Sequence, residues 1–390
     1  MQVSTILLRM PNWLGDCVMT SCAIQKLRVT YPDARFILVG SKACEIYKAD
    51  SLTCIIDESK TYPKTQRWHF KKQLVGLGVI AKIKAYILYS LKFWQRNRIY
   101  ATYLLAKSIG KADLSFSFNN SFFGALFLCF TGSKIRVGFA KNARSALLTH
   151  ALKLQDSHSM HQVQKYEFLI QDFIEPGLFA HILPLKLPQS TQSLLIDDKQ
   201  HKHIGINPGA AFGSAKCWQK EYFIAVIEAF LDQGHYVYLF GTDSNLSWQI
   251  TQGLRHMSIT QQKNFINLTN KTNLTQLVDS IAALHLFITN DSGPMHIAAA
   301  SSTPMISIFG PTDTSETCPW NEKIAKHYFC SHRESISKQS LVVESNIAIL
   351  CKHLSCAPCK KRTCPLVHHN CMKEITPQEV LLIADSMLVS

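Results

Sequence analysis

No run in this chain is long and apolar enough to cross a bilayer as a helix. The most apolar short run, Phe122 to Phe130, is far too short, and Lys82, Lys84 and Lys92 break up the apolar region before it. A secretory leader is missing as well, because residues 1–39 read as folded strand and helix, so a reducing cytosolic setting is expected. There is no internal repeat of fixed period. Charge is sparse and one-sided. Charged residues make up 17% against 47% hydrophobic, which argues against a disordered chain, and 27 acidic residues against 41 Lys and Arg leave a net +14. An excess of that sign attracts an anionic partner: nucleic acid, an anionic membrane or an acidic small substrate.

What is present suits two α/β domains in 390 residues. Ser4 to Arg9 reads as a buried strand, followed by a loop from Met10 to Gly15. Asp16 then begins a helix with Met19, Ala23 and Leu27 on one face. Arg35 to Val39 is the next strand, and strand–helix–strand at the start of a chain predicts a parallel sheet. Periodicity lapses from Pro184 to about Asp198, which places a boundary there. The expected layout is residues 1–190 as the first domain, 200–375 as the second, and 376–390 as a final helix packing back on the first.

Within the first domain, residues 68–110 look like a basic helical insertion. Lys71, Lys72, Lys82, Lys84, Lys92, Arg96 and Arg98 stand among leucines, isoleucines and aromatic residues. Two readings fit: a helix lying on an anionic lipid surface, or an amphipathic helix packed on its own domain.

The second half opens with a strand at His203 to Asn207 and a glycine-containing loop that reaches Lys216. A helix from Glu221 to Gln233 is closed by Gly234, and Asn273 with Gln276 forms a capping box for the next helix. A strand over His285 to Thr289 then runs into Asn290-Asp291-Ser292-Gly293-Pro294-Met295-His296, where Pro294 opens a helix. Met305 to Phe309 is the following strand. Strand, polar loop, helix and strand in that order bring backbone N–H groups and a helix start to a bound phosphate. The loop with Gly209, Gly213 and Lys216 is neither a Walker loop nor G-x-G-x-x-G, but paired with Asp291-Ser292-Gly293 it points to a diphosphate.

Several motifs in register resemble the signature segments of glycosyltransferase family 9, the lipopolysaccharide heptosyltransferases. They are Pro11-Asn12-Trp13-Leu14-Gly15-Asp16, Asn207-Pro208-Gly209-Ala210 with Lys216 and Trp218, residues 290–296, and Phe309-Gly310-Pro311-Thr312-Asp313. The resemblance implies a GT-B fold, in which two Rossmann-like parallel-sheet domains face a central cleft. It implies inverting, metal-independent transfer of a heptose from ADP-L-glycero-D-manno-heptose to the inner-core heptose of lipopolysaccharide. No cofactor is required beyond that donor. Kdo-lipid A bearing heptose is the implied acceptor, and the inner face of the inner membrane the implied location.

By the same resemblance Asp16 is the general base, for which the plain alternative is an aspartate stabilised by the helix dipole. Lys216 matches the phosphate-binding lysine. Gly209, Ser292, Gly293, Met295 and His296 match the diphosphate loop, with Thr312 closing the pocket. Asp291 either touches the sugar or shapes the turn. The carboxylate often found for the ribose after the Gly241 strand end is replaced by Ser244 and Asn245, leaving Asp243 as the acid nearby.

Nine of the 13 cysteines are scattered through strands and helices, and the other four are Cys356, Cys359, Cys364 and Cys371, near His368 and His369. These four have the spacing of a structural zinc site; the alternative is reduced thiols packed around a tight loop. Two other functions stay open. One is a family 9 transferase with a different core acceptor or sugar donor. The other is a basic nucleic-acid-binding protein, which the lack of an RNA-binding signature disfavours.

Overall fold

A computed structural model describes residues 2–50, 52–58, 98–154, 160–321, 323–324 and 341–389. The expected basic insertion therefore lies outside the described residues up to position 97. The chain forms strand β1 (Thr5–Arg9), helices α1 (Leu14–Met19) and α2 (Ser21–Thr30), then β2 (Arg35–Gly40) and β3 (Thr53–Ile56). Helix α3 (Arg98–Ile109), β4 (Leu114–Ser117), α4 (Phe122–Thr131), β5 (Ile135–Phe139), β6 (His150–Leu152) and α5 (Gln162–Ile170) follow.

The molecule divides into two compact units. The first holds Met1–Asn12, Tyr31–Cys44 and Leu52–Gln155; the second holds Trp13–Thr30, Glu45–Ser51 and Asp156–Ser390. The first unit is a six-stranded sheet in the order β3-β2-β1-β4-β5-β6, parallel throughout. Strands β1 and β2 are near-continuous apolar runs, as strands covered on both faces require, whereas β4 alternates Leu114 and Phe116 with the buried hydroxyls of Ser115 and Ser117. Leu7, Ile37 and Val39 of the sheet pack with Phe127 and Leu128 of α4. Ser121 caps α4 by accepting from the Gly124 N–H at 3.0 Å, and Gly132 ends it at φ 75°, a left-handed position that suits glycine. Behind the strand ends, the wholly buried Arg144 donates to the Phe139 carbonyl at 2.8 Å and to Asn120 Oδ1 at 3.0 Å.

The second unit is built on β7 (His203–Asn207), α6 (Lys220–Asp232), β8 (Tyr236–Leu239), α7 (Ser244–Gly253) and β9 (Phe265–Asn267). It continues through α8 (Leu274–Ala282), β10 (Leu286–Asn290), α9 (Gly293–Ala300) and β11 (Met305–Phe309), then β12 (Leu341–Glu344), β13 (Ile347–Cys351) and α10 (Pro377–Val389). Its sheet runs β12-β13-β11-β10-β7-β8-β9, with only the β12–β13 pair antiparallel. In both sheets the first strand of the unit lies between the second and the fourth, the Rossmann order, which makes a switch point for ligands at the strand carboxyl ends.

The grouping by contacts does not follow chain order: helices α1 and α2 come directly after the first unit's opening strand but fall in the second unit. Helix α10 buries Val380, Ile383 and Ala384 in the second unit's core with Trp218, Phe223 and Val226. The segment leading into it is anchored there because the Trp218 indole N–H donates to the Ile375 carbonyl at 2.8 Å.

Candidate functional site

The second unit encloses a cavity of about 1070 Å³ at the carboxyl ends of β7, β8 and β10. Its lining comes chiefly from Trp13 to Met19, Asn207 to Cys217, Phe240 to Leu246, and Asp291 to His296, with Asn270, Thr272, Leu274, Leu277 and Thr317. That volume is at the upper end of ordinary small-molecule pockets.

The parallel register sets Asn207 of β7 opposite Thr289 of β10. Asn207 Nδ2 donates to Thr289 Oγ1 and to Ser292 Oγ, each at 3.0 Å, which ties the two loops together. Asn290 completes the brace: its Nδ2 donates to the Pro208 carbonyl at 2.6 Å and its Oδ1 accepts from the Trp218 N–H at 3.1 Å. Helix α9 then starts with Ser292 as its cap and Pro294 in its first turn. Gly293 rather than Pro294 is its first residue. The first-turn N–H groups of a helix lack intrahelical partners and carry partial positive charge, so this start faces the cavity as an anion site.

Helix α1 is pressed against that helix start. A Cβ on Gly15 would lie 2.6 Å from His296 Cδ2, and one on Gly293 would lie 2.9 Å from Leu14 Cβ. Glycine at both positions is what allows the two helix starts to approach so closely, and it brings Asp16, in the first turn of α1, to the cavity wall.

Near the two helix starts, charge is concentrated on Lys216, Asp291 and Asp16. Lys216 is ion-paired with the buried Asp291, whose same oxygen Oδ2 also accepts from Thr312 Oγ1 at 2.5 Å. The Lys216 ammonium lies 5.0 Å from the centre of the Phe212 ring. The carboxyl of Asp16 is held above its ordinary value, chiefly by burial; the Tyr166 hydrogen bond and the charge of Lys216 pull it down, and Asp291 pushes it up. His296 is pushed down to about 3 by burial and by Lys216, so it is a neutral imidazole, and its Nδ1 is buried without a hydrogen-bond partner.

Of the residues expected at the site, Asp16, Gly209, Lys216, Asp291, Ser292, Gly293 and His296 line this one cavity. Thr312 and Met295 stand outside the lining. Thr312 acts through Asp291, and the Met295 side chain is wholly buried, so it has only its N–H to offer. Asp243 lines the cavity too, but its Oδ1 is occupied in capping α7 through the Asn245 and Leu246 N–H groups at 3.0 Å each. Tyr166 was not anticipated. Its hydroxyl donates to Asp16 Oδ1 at 2.9 Å, and no local pattern marks a single helical tyrosine for that task.

The four clustered cysteines line a separate apolar cavity of about 20 Å³ with Ala215 and Pro311. Among the described residues no three Cys, His, Asp or Glu side chains are grouped to hold a metal ion. Burial and the neighbouring thiols push Cys371 up to about 11, so it is a protonated thiol. The segment braces the Lys216 loop: the Ala215 N–H donates to the Arg362 carbonyl at 3.0 Å, and His369 Nε2 meets the Ala215 carbonyl at 2.9 Å. Gly213 sits at φ 153° with the Arg362 carbonyl 2.3 Å from any added Cβ, a position open to glycine alone.

Two Rossmann-type sheets, with a large cation-bearing cavity at the switch point of the second, are the architecture of a GT-B glycosyltransferase. Residues 103–369 match glycosyltransferase family 9 (heptosyltransferase), and the chain belongs to that family. It is 33% identical over 388 residues to lipooligosaccharide heptosyltransferase 2 of Campylobacter jejuni, covering 98% of each chain. To lipopolysaccharide heptosyltransferase 2 of Escherichia coli it is 26% identical, covering 80% of this chain and 84% of the relative. The solved structure of E. coli ADP-heptose lipopolysaccharide heptosyltransferase II shares the fold at a TM-score of 0.69 and 23% identity, covering 99% of this chain and 98% of that one. Among the described residues no helix is long and apolar enough to cross a membrane.

Proposed function

We propose that the protein is an inverting heptosyltransferase that moves heptose from ADP-L-glycero-D-manno-heptose onto the inner-core heptose of lipopolysaccharide. One observation carries this reading: a carboxylate with a raised pKa, Asp16, lines the same cavity as Lys216 and the start of α9. A base and an anion-binding wall in one cavity are what displacement of a diphosphate by a sugar hydroxyl needs. In this mechanism Asp16 takes the proton from the acceptor hydroxyl as its oxygen attacks the anomeric carbon of the heptose. The anomeric carbon–oxygen bond to the diphosphate breaks on the opposite face, and ADP departs with the electron pair. Lys216, the Ser292 hydroxyl and the N–H groups of Gly293, Met295 and His296 stabilise the charge that develops on it, so that no metal is called for.

Lys216 starts out paired with Asp291, and the donor diphosphate takes over part of that pairing. Asp291 then shapes the loop and stands next to the sugar. The adenosine end is assigned to Thr242, Asp243, Asn270, Thr272 and Leu274, with Asp243 Oδ2 left for the ribose hydroxyls. The acceptor carries lipid A, which places the enzyme at the inner face of the inner membrane, where its net +14 meets Kdo and phosphate groups. On α3 the exposed face carries Tyr103, Leu104 and Lys107, a composition suited to a lipid surface.

The test of the base assignment is Asp16→Asn. Steady-state transfer should fall by about 10²- to 10⁴-fold, the usual worth of a general base, while calorimetry finds ADP affinity nearly unchanged. Near-normal turnover in the variant contradicts the assignment.

A further inference from the structure

Tyr166 lies on α5, wholly buried, and its hydroxyl donates to Asp16 Oδ1 at 2.9 Å. The helix that carries it has little freedom. His161 caps it in a capping box with Gln164, and His161 Nε2 is bound to the Cys318 carbonyl at 3.1 Å. One residue beyond Tyr166, Glu167 pairs with the buried Lys26 of α2 at 2.7 Å. Val163, Leu169 and Ile170 are fully buried. The phenol oxygen is thus placed by packing rather than by a flexible side chain. Burial and the Asp16 charge raise the Tyr166 phenol well above its ordinary value, so it remains a hydrogen-bond donor across the working pH range.

We propose that Tyr166 is a positioning residue of the transfer reaction: its hydroxyl holds one oxygen of the Asp16 carboxylate so that the other is presented to the acceptor hydroxyl. The inference rests on Asp16 acting as the base. A carboxylate has two equivalent oxygens and rotates about its Cβ–Cγ bond, so an unheld one spends much of its time misdirected. Tethering Oδ1 leaves Oδ2 as the proton acceptor. The same hydrogen bond favours the anion and so opposes the burial that disfavours it.

Tyr166→Phe removes only the hydroxyl from a packed ring and tests this directly. Transfer should lose about tenfold in kcat with KM and ADP affinity nearly unchanged. The acid limb of the pH profile of kcat/KM should move up by about one pH unit, because a hydrogen bond to a charged group is being removed. In the Asp16→Asn background the same substitution should change nothing further. Incorporation of 3-fluorotyrosine at position 166, a stronger donor of nearly the same shape, should move the limb the other way and serves if the phenylalanine variant does not fold. An acid limb unmoved by either replacement overturns the inference. Full turnover by Asp16→Asn would instead overturn the base assignment itself, so the two failures are distinguishable.

Discussion

Lys216 and Asp291 show how few side chains set the electrostatics of the cavity. Their side chains are only 12% and 5% exposed, so removing the cation strands a buried carboxylate with Thr312 as its remaining side-chain donor. Lys216→Gln is expected to raise the dissociation constant of ADP by about 10- to 150-fold, from the loss of a charge-assisted bond worth about 1.5–3 kcal/mol. Titration calorimetry checks this, and an unchanged affinity would remove Lys216 from the diphosphate site. At this scale much was legible in the sequence. The family resemblance singled out Asp16, Lys216 and Asp291, and all three line one cavity. Tyr166 was not legible, because its hydrogen bond to Asp16 spans 150 positions of chain and leaves no mark on the residues beside it.

The packing of α1 on α9 sets the position of Asp16 at the scale of elements. Gly15 and Gly293 are matched, each facing the other helix where a side chain would collide. Gly15→Ala forces a Cβ to within 2.6 Å of the His296 ring, whose own burial leaves it little room to yield. Overpacking of this kind costs about 1–3 kcal/mol, so the denaturation midpoint should drop and transfer should fall with it, since the next residue is Asp16. A variant with wild-type stability and rate would show that the contact is dispensable. Strands were legible as apolar runs: His203–Asn207 and Met305–Phe309 fall where the pattern placed them. The capping box of Asn273 and Gln276 was also visible in advance. The membership of α1 and α2 in the second unit was not, because a sequence shows a glycine but not the surface it meets.

At the scale of the whole molecule, two buried histidines tie folding to pH. His161 and His296 are each pushed down to about 3 from an ordinary 6.5, principally by burial. Below about pH 6.5 the unfolded chain takes up protons that the folded chain refuses until about pH 3, so the stability they contribute at neutral pH is lost as pH falls through that window. Thermal unfolding followed between pH 7.5 and roughly 5 should show a falling midpoint, less steeply in His161→Gln. An equal slope in that variant would contradict the assignment of a neutral, buried imidazole.

Donor and acceptor are read together by incubating the protein with ADP-L-glycero-D-manno-heptose and Kdo-lipid A acceptors carrying no heptose, one heptose or two, and weighing the products. A heptosyltransferase of the proposed specificity adds one heptose to the one-heptose acceptor and none to the other two. Addition to the heptose-free acceptor, or no addition to any of the three, would contradict that specificity.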